Sequence, residues 1–75
     1  MARQHHAVQH TCTVKGTNAE TRKRVSITVQ GRAAQVRARI ETRINAGAQR
    51  LDFTDVTTGR TVWISLASGD LVAVS

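Results

Sequence analysis

Residues 31–47 read GRAAQVRARIETRINAG, and this stretch determines the fold class. Its apolar residues are spaced three, four and four apart, at Ala33, Val36, Ile40 and Ile44. At about 100° per residue they fall within about 80° of arc, which makes one apolar stripe along a helix. The stretch therefore predicts an amphipathic helix over residues 32–46, which ends at Gly47.

The chain before this helix alternates apolar and polar residues with a period of two, the pattern of half-buried strands. A first strand is predicted over residues 8–15 and a second over residues 25–30. Between them, residues 16–18 (Gly-Thr-Asn) have the chemistry of a turn, and residues 19–24 form a charged connection. The two strands are therefore expected to form a hairpin with a long loop.

The chain after the helix returns to the strand pattern. Strands are predicted over residues 51–54 and 61–66, and Gly59 suits the left-handed position of a three-residue loop with a bulge between them. A Ser-Gly-Asp turn precedes a short last strand over residues 71–74. The order β-β-α-β-β-β predicts a small α+β fold, with a single antiparallel sheet and one amphipathic helix packed on one of its faces.

The length of 75 residues is expected to make one small α+β domain over residues 1–75, with residues 1–7 a loose N-terminal segment. No apolar run approaches the ~18 residues of a membrane span, which excludes a transmembrane helix. The one cysteine, Cys12, has no intramolecular partner for a disulfide, which favours a cytoplasmic location. With Phe53 and Trp63 as the only aromatic residues, the core is small, and an oligomer would bury more surface.

The charge balance is strongly basic, with a formal net charge of +6 and nine arginines among the eleven basic residues. On the helical wheel Arg32, Arg39 and Arg43 fall within about 40°, beside the apolar stripe, and Arg37 lies at its opposite border. Like charges four residues apart destabilise a helix, and arginine offers a two-pronged donor for phosphates. The stripe is thus either a phosphate-binding surface or an ordinary solvated helix face.

A second basic cluster, Arg22, Lys23 and Arg24, occupies the connection before the second strand. If this loop and the helix share one side of the fold, about six cations line a single surface. Such a surface concentrates polyanions electrostatically and favours nucleic acid as the partner.

Trp63 falls on the polar side of its strand, between Thr61 and Ser65. An outward tryptophan can stack on a base, can anchor a protein interface, or can pack under the N-terminal segment. Known base-stacking sheets use two or three aromatic residues, so a lone tryptophan favours the other two interpretations over the first.

Metal and catalytic sites are not expected. His5, His6, His10 and Cys12 resemble ligands, but zinc requires four well-placed ligands and no second Cys or Cys/His pair follows. No two of the five acidic residues suggest an acid–base pair, and the glycines form no phosphate loop. The sequence therefore predicts a protein that is not an enzyme and needs neither metal nor cofactor.

The function predicted from these residues is a small basic binding protein that associates with nucleic acid. The predicted contact residues are Arg22, Lys23, Arg24, Arg32, Arg39, Arg43 and Trp63. The alternative is a protein–protein interaction module: a homodimer, or a phage or mobile-element accessory protein or inhibitor that binds an acidic protein surface.

Overall fold

The structure, a computed structural model, describes residues 10–75. Its elements are β1 (Thr11–Thr17), β2 (Arg24–Gln30), α1 (Ala33–Asn45), β3 (Arg50–Thr54), β4 (Thr61–Ser65) and β5 (Ala73–Val74). The α+β class and the predicted element order are confirmed. The first two residues of the predicted first strand, and the predicted loose segment 1–7, lie outside the described residues.

The strands form two antiparallel sheets, which differs from the expected single sheet. One sheet has the order β2-β1-β5, and the other is the hairpin of β3 and β4. An isolated bridge between Asn18 and Ile64 links the two sheets at one point. At a second point the backbone N–H of Val56 donates to the carbonyl of Thr28. Single contacts of this kind join the sheets at their corners without a continuous ladder.

Strand β1 continues through Gly16 and Thr17, which the sequence pattern placed in a turn. Gly16 is buried in the strand, and a Cβ there would lie 2.9 Å from Cγ2 of Ile64. The glycine is therefore required by the close approach of β4 and not by a turn. The turn begins at Asn18, whose side-chain oxygen accepts a 2.8 Å hydrogen bond from the backbone of Glu20.

The core lies between the helix and the inner faces of both sheets. Its buried apolar residues are Cys12, Val14, Ile27, Val29, Val36, Ile40, Leu51, Phe53, Ile64 and Leu66. The helix contributes Val36 and Ile40 as the stripe predicts, but Ile44 at its last turn is 47% exposed. The helix ends before Gly47, whose φ of +85° fits the left-handed position that glycine adopts without strain.

The C-terminal part of the chain departs most from the sequence pattern. The last strand contains only Ala73 and Val74, and Leu71, expected in that strand, is 79% exposed in a loop. Ser65, expected to face solvent, is 3% exposed. Gly59 has the predicted positive φ, but four residues, 56–59, separate the hydrogen-bonded pair Asp55 and Arg60, so this loop is one residue longer than predicted.

Candidate polyanion-binding surface

Arg39 and Arg43 lie along one edge of α1, and Arg32 is the extended residue that precedes its first turn. We call these three residues the arginine strip. All three are exposed. At a rise of about 1.5 Å per residue they span about 16 Å along the helix axis. The chain reverses at Gly47, so β3 runs back beside the edge that carries the arginine strip.

Arg39 lies across the junction between α1 and β3. Its Nη2 is 3.4 Å from the carbonyl oxygen of Asp52, and its guanidinium carbon lies 5.3 Å from the ring centroid of Phe53. A cation over an aromatic face is attracted by the ring quadrupole, worth about 0.5–1 kcal/mol at an exposed site. These contacts fix the position of the guanidinium, and neither of them neutralises its charge.

Arg32 stands at the N-terminus of α1, beside the start of β1. Its Nη2 is 3.1 Å from Nε2 of His10. Because a guanidinium only donates hydrogen bonds, Nε2 of His10 accepts in this contact. The backbone N–H of Arg32 donates to Oε1 of Gln35 at 3.3 Å, which satisfies one of the free donors at this helix end.

Arg50 belongs with these cations, although the sequence pattern did not single it out. Its guanidinium carbon lies 4.8 Å from the ring centroid of Trp63. Trp63 stands on the outer face of the β3–β4 hairpin, opposite Asp52, and is half-buried. Trp63 therefore faces away from Ile64 as predicted, but Arg50 occupies one face of its ring. Arg50 and Trp63 are diagonal neighbours across the two strands, so finding this pair from sequence would have required the register between β3 and β4.

The loop cluster Arg22–Lys23–Arg24 is used differently. Nη2 of Arg22 forms a 2.9 Å ion pair with Oδ2 of Asp70, and Nη1 of Arg24 donates at 2.8 Å to the carbonyl of Leu71. Both arginines thus hold the loop before β5. Arg32 contacts His10 and Arg39 contacts β3, so the two basic groups share no contact residue. Arg24 and Arg32 are also separated by the length of β2, about 20 Å.

The surroundings of Asp70 favour its ionised form. The Ser65 hydroxyl donates to Oδ2 of Asp70 at 2.7 Å, and the Arg22 guanidinium donates to the same oxygen. The Ser65 hydrogen bond and then the Arg22 hydrogen bond lower the pKa of Asp70 below its ordinary 3.8. Asp70 is therefore anionic at neutral pH and fixes the loop electrostatically.

Of the four residues that resemble metal ligands, the structure describes His10 and Cys12, and their surroundings differ. His10 is exposed, whereas Cys12 is buried in the core. Across residues 10–75 no three His, Cys, Asp or Glu side chains are close enough to hold a metal ion. His5 and His6 lie outside the described residues.

Within residues 10–75, no helix has the length and apolar character needed to span a membrane.

Comparison with known proteins finds no matching family, no matching curated protein and no matching solved structure. The chemistry of the site is therefore the basis for inferring what this protein binds.

Proposed function

We propose that this protein is a small non-enzymatic binding protein that associates with nucleic acid through the arginine strip. One observation carries the proposal: among residues 10–75 the only ion pair is Arg22–Asp70. Arg32 and Arg39 are held by an imidazole, a carbonyl and a ring face, none of which carries a negative charge. Their charges are fixed in place and available to an external anion.

The spacing of the strip fits a phosphate backbone better than it fits a single small anion. Three guanidinium groups over about 16 Å can each meet a different phosphate, because a duplex carries one charge per about 1.7 Å of its axis. Each guanidinium can bind a phosphate with two parallel hydrogen bonds. Contacts of this kind position a protein on nucleic acid without reading its sequence, so we propose recognition by charge and shape.

The other predicted contact residues have unequal parts in the proposal. Lys23 is exposed and adds to the positive field, whereas Arg22 and Arg24 are already bonded to the loop before β5. Arg50 covers one face of the Trp63 ring. We therefore propose that Trp63 positions Arg50 and does not stack on a base. A cytoplasmic location, expected from the lone Cys12, belongs to the same proposal.

The test measures binding of labelled 20-nucleotide single-stranded and duplex DNA and RNA by fluorescence anisotropy at several salt concentrations. With three to four phosphate contacts on a duplex, affinity should fall by about two orders of magnitude from about 50 to about 200 mM salt. The double variant Arg39→Gln/Arg43→Gln should reduce the slope of log affinity against log salt by about two. Absence of binding to every nucleic acid at low salt would refute the proposal.

A matched control separates the strip from net charge alone. Lys15 and Arg60 are exposed and lie on β1 and in the β3–β4 loop. The double variant Lys15→Gln/Arg60→Gln carries the same net charge as the strip variant and should keep most of the salt slope. Equal losses in the two variants would mean that the whole field of the protein, and not the strip, attracts the anion.

The alternative function, binding of an acidic protein surface, is tested in the same assay. Polyglutamate of matched charge serves as a competitor. If the protein recognises only negative charge, polyglutamate should displace the labelled oligonucleotide as readily as unlabelled oligonucleotide does. Preference for the oligonucleotide at equal charge supports phosphate recognition, because two-pronged binding depends on the phosphate geometry.

A further inference from the structure

A groove lies between the second half of α1 and the loop that connects β4 to β5. Its volume is about 500 Å³, and apolar side chains dominate its walls, among them Ile40 and Ile44 from the helix and Leu66 and Leu71 from the loop side. Ile44 is 47% exposed and Leu71 is 79% exposed. Exposed apolar residues gathered around one concave surface are typical of an interaction site.

The loop wall of this groove is held in place. Arg22 and Ser65 both donate to the Asp70 carboxylate, and Arg24 donates to the carbonyl of Leu71. The anchors at Asp70 and at the Leu71 carbonyl hold this backbone, while the side chain of Leu71 stays in solvent. A wall that is already ordered loses less conformational entropy when a partner binds.

The helix rim of the groove carries one charge of each sign. Arg37 and Glu41 lie one turn apart and both line the groove. Such a pair often bonds within its own helix, but the ion pairs among residues 10–75 do not include it. Arg37 instead donates from Nη1 to the carbonyl of Val74 at 2.8 Å. Its remaining donors and the exposed Glu41 carboxylate are left for other partners.

We propose that this groove is the interface of a homodimer. A twofold axis that passes between Arg37 and Glu41 places Arg37 of each copy opposite Glu41 of the other, because a twofold interface is self-complementary. The rim therefore selects a second copy of this chain, while Ile44 and Leu71 lose their exposure to water. The arginine strip lies at the opposite border of the buried helix face and stays free in the dimer.

The experiment is light scattering on nuclease-treated protein free of nucleic acid, which keeps the result independent of the proposed function. The wild type should give twice the 8.2 kDa chain mass at tens of micromolar. Arg37→Glu and Glu41→Arg should each be monomeric, because each places like charges opposite one another. An equimolar mixture of these two variants should form a heterodimer, and the double variant R37E/E41R should dimerise again.

Leu71→Glu is a second route to the monomer that does not depend on Arg37, which also bonds to Val74. The exposure of Leu71 means that this substitution leaves the monomer folded, as circular dichroism would verify. A wild type that stays monomeric at millimolar concentration would overturn the proposal, as would a mixture of the two charge variants that fails to associate. Persistence of the dimer in Leu71→Glu would place the interface elsewhere on the chain.

Discussion

Arg22 and Asp70 are 48 positions apart in the chain, and Nη2 of Arg22 lies 2.9 Å from Oδ2 of Asp70. The same carboxylate oxygen accepts from the buried Ser65 hydroxyl. The ion pair joins the β1–β2 loop to the loop before β5. Each of these irregular loops is therefore positioned by a contact with the other. The sequence suggested that the positive charge of Arg22 contacts a polyanion. In the structure this charge is paired with Asp70 and joins the two loops.

Asp70→Asn should remove a component of stability that depends on pH. The folded-state pKa of Asp70 lies below the 3.8 of the unfolded chain, so the unfolded chain takes up the proton more readily. The stabilisation is complete above pH 3.8 and is lost as the pH falls through the folded-state pKa. The free energy of unfolding, measured with urea, should therefore fall more for the wild type than for Asp70→Asn when the pH is lowered from 6 to 2.5.

Glu20→Gln is the matched control for that experiment, because Glu20 is an exposed acid in the same β1–β2 loop. Its unfolding profile should follow the wild type across the acid range. Parallel profiles for the wild type and Asp70→Asn would show that the Ser65 and Arg22 hydrogen bonds to Asp70 do not favour its ionised form.

Arg50→Ala should expose the ring of Trp63. Loss of a guanidinium 4.8 Å from the ring centroid is expected to cost about 0.5–1 kcal/mol of stability. Trp63 is the only tryptophan in the chain, so its fluorescence reports this site alone. The emission should shift to longer wavelength and acrylamide quenching should increase. Arg60→Ala, outside this contact, should leave both unchanged, and an unchanged spectrum in Arg50→Ala would contradict the stacking.

Gly16→Ala should destabilise the fold although the change adds one methyl group. The new Cβ would lie 2.9 Å from Cγ2 of Ile64, a side chain with no exposure to solvent. Overpacking of this kind typically costs about 1–3 kcal/mol. Thermal unfolding measures the loss. In an Ile64→Leu background Cγ2 is absent, because leucine is not branched at Cβ, so the penalty for the alanine should shrink. An equal penalty in both backgrounds would place the clash elsewhere.

Arg43 offers the simplest separation of a phosphate contact from a structural role. Arg43→Gln should reduce the slope of log affinity against log salt by about 0.9, the value for one duplex phosphate contact. Arg43→Lys retains the charge and should keep the slope, with weaker binding because lysine lacks the planar fork. The two variants need equal melting temperatures for this comparison. A slope that does not change in Arg43→Gln would remove Arg43 from the binding surface.

Periodicity alone predicted most of the secondary structure. The spacing of Val36 and Ile40 gave the helix and its buried face, and Gly47 gave its end. Alternation gave β2 and the inward residues Leu51 and Phe53. These features depend on neighbours within a few residues, where backbone geometry relates sequence spacing directly to side-chain direction.

The candidate site was less predictable, because each of its contacts spans a long stretch of chain. The helix gave the alignment of the arginine strip, but the support of Arg39 by Phe53 depends on β3 lying beside α1. The pairing of Arg50 with Trp63 required the register of a hairpin. A charge pattern in the sequence does not indicate whether an arginine bonds to a distant loop or stays free. Arg22 is bonded to Asp70, whereas Arg43 has no ion-pair partner among residues 10–75 and belongs to the proposed surface.

The sequence by itself determined an α+β chain with a helix bearing an apolar stripe and a cationic edge, since both follow from 3.6 residues per turn. Only the tertiary structure decided that the strands divide into two sheets and that Gly16 is a point of close packing. It also decided which arginines are bound within the fold. Those outcomes depend on contacts between segments far apart in the chain, which no local spacing encodes.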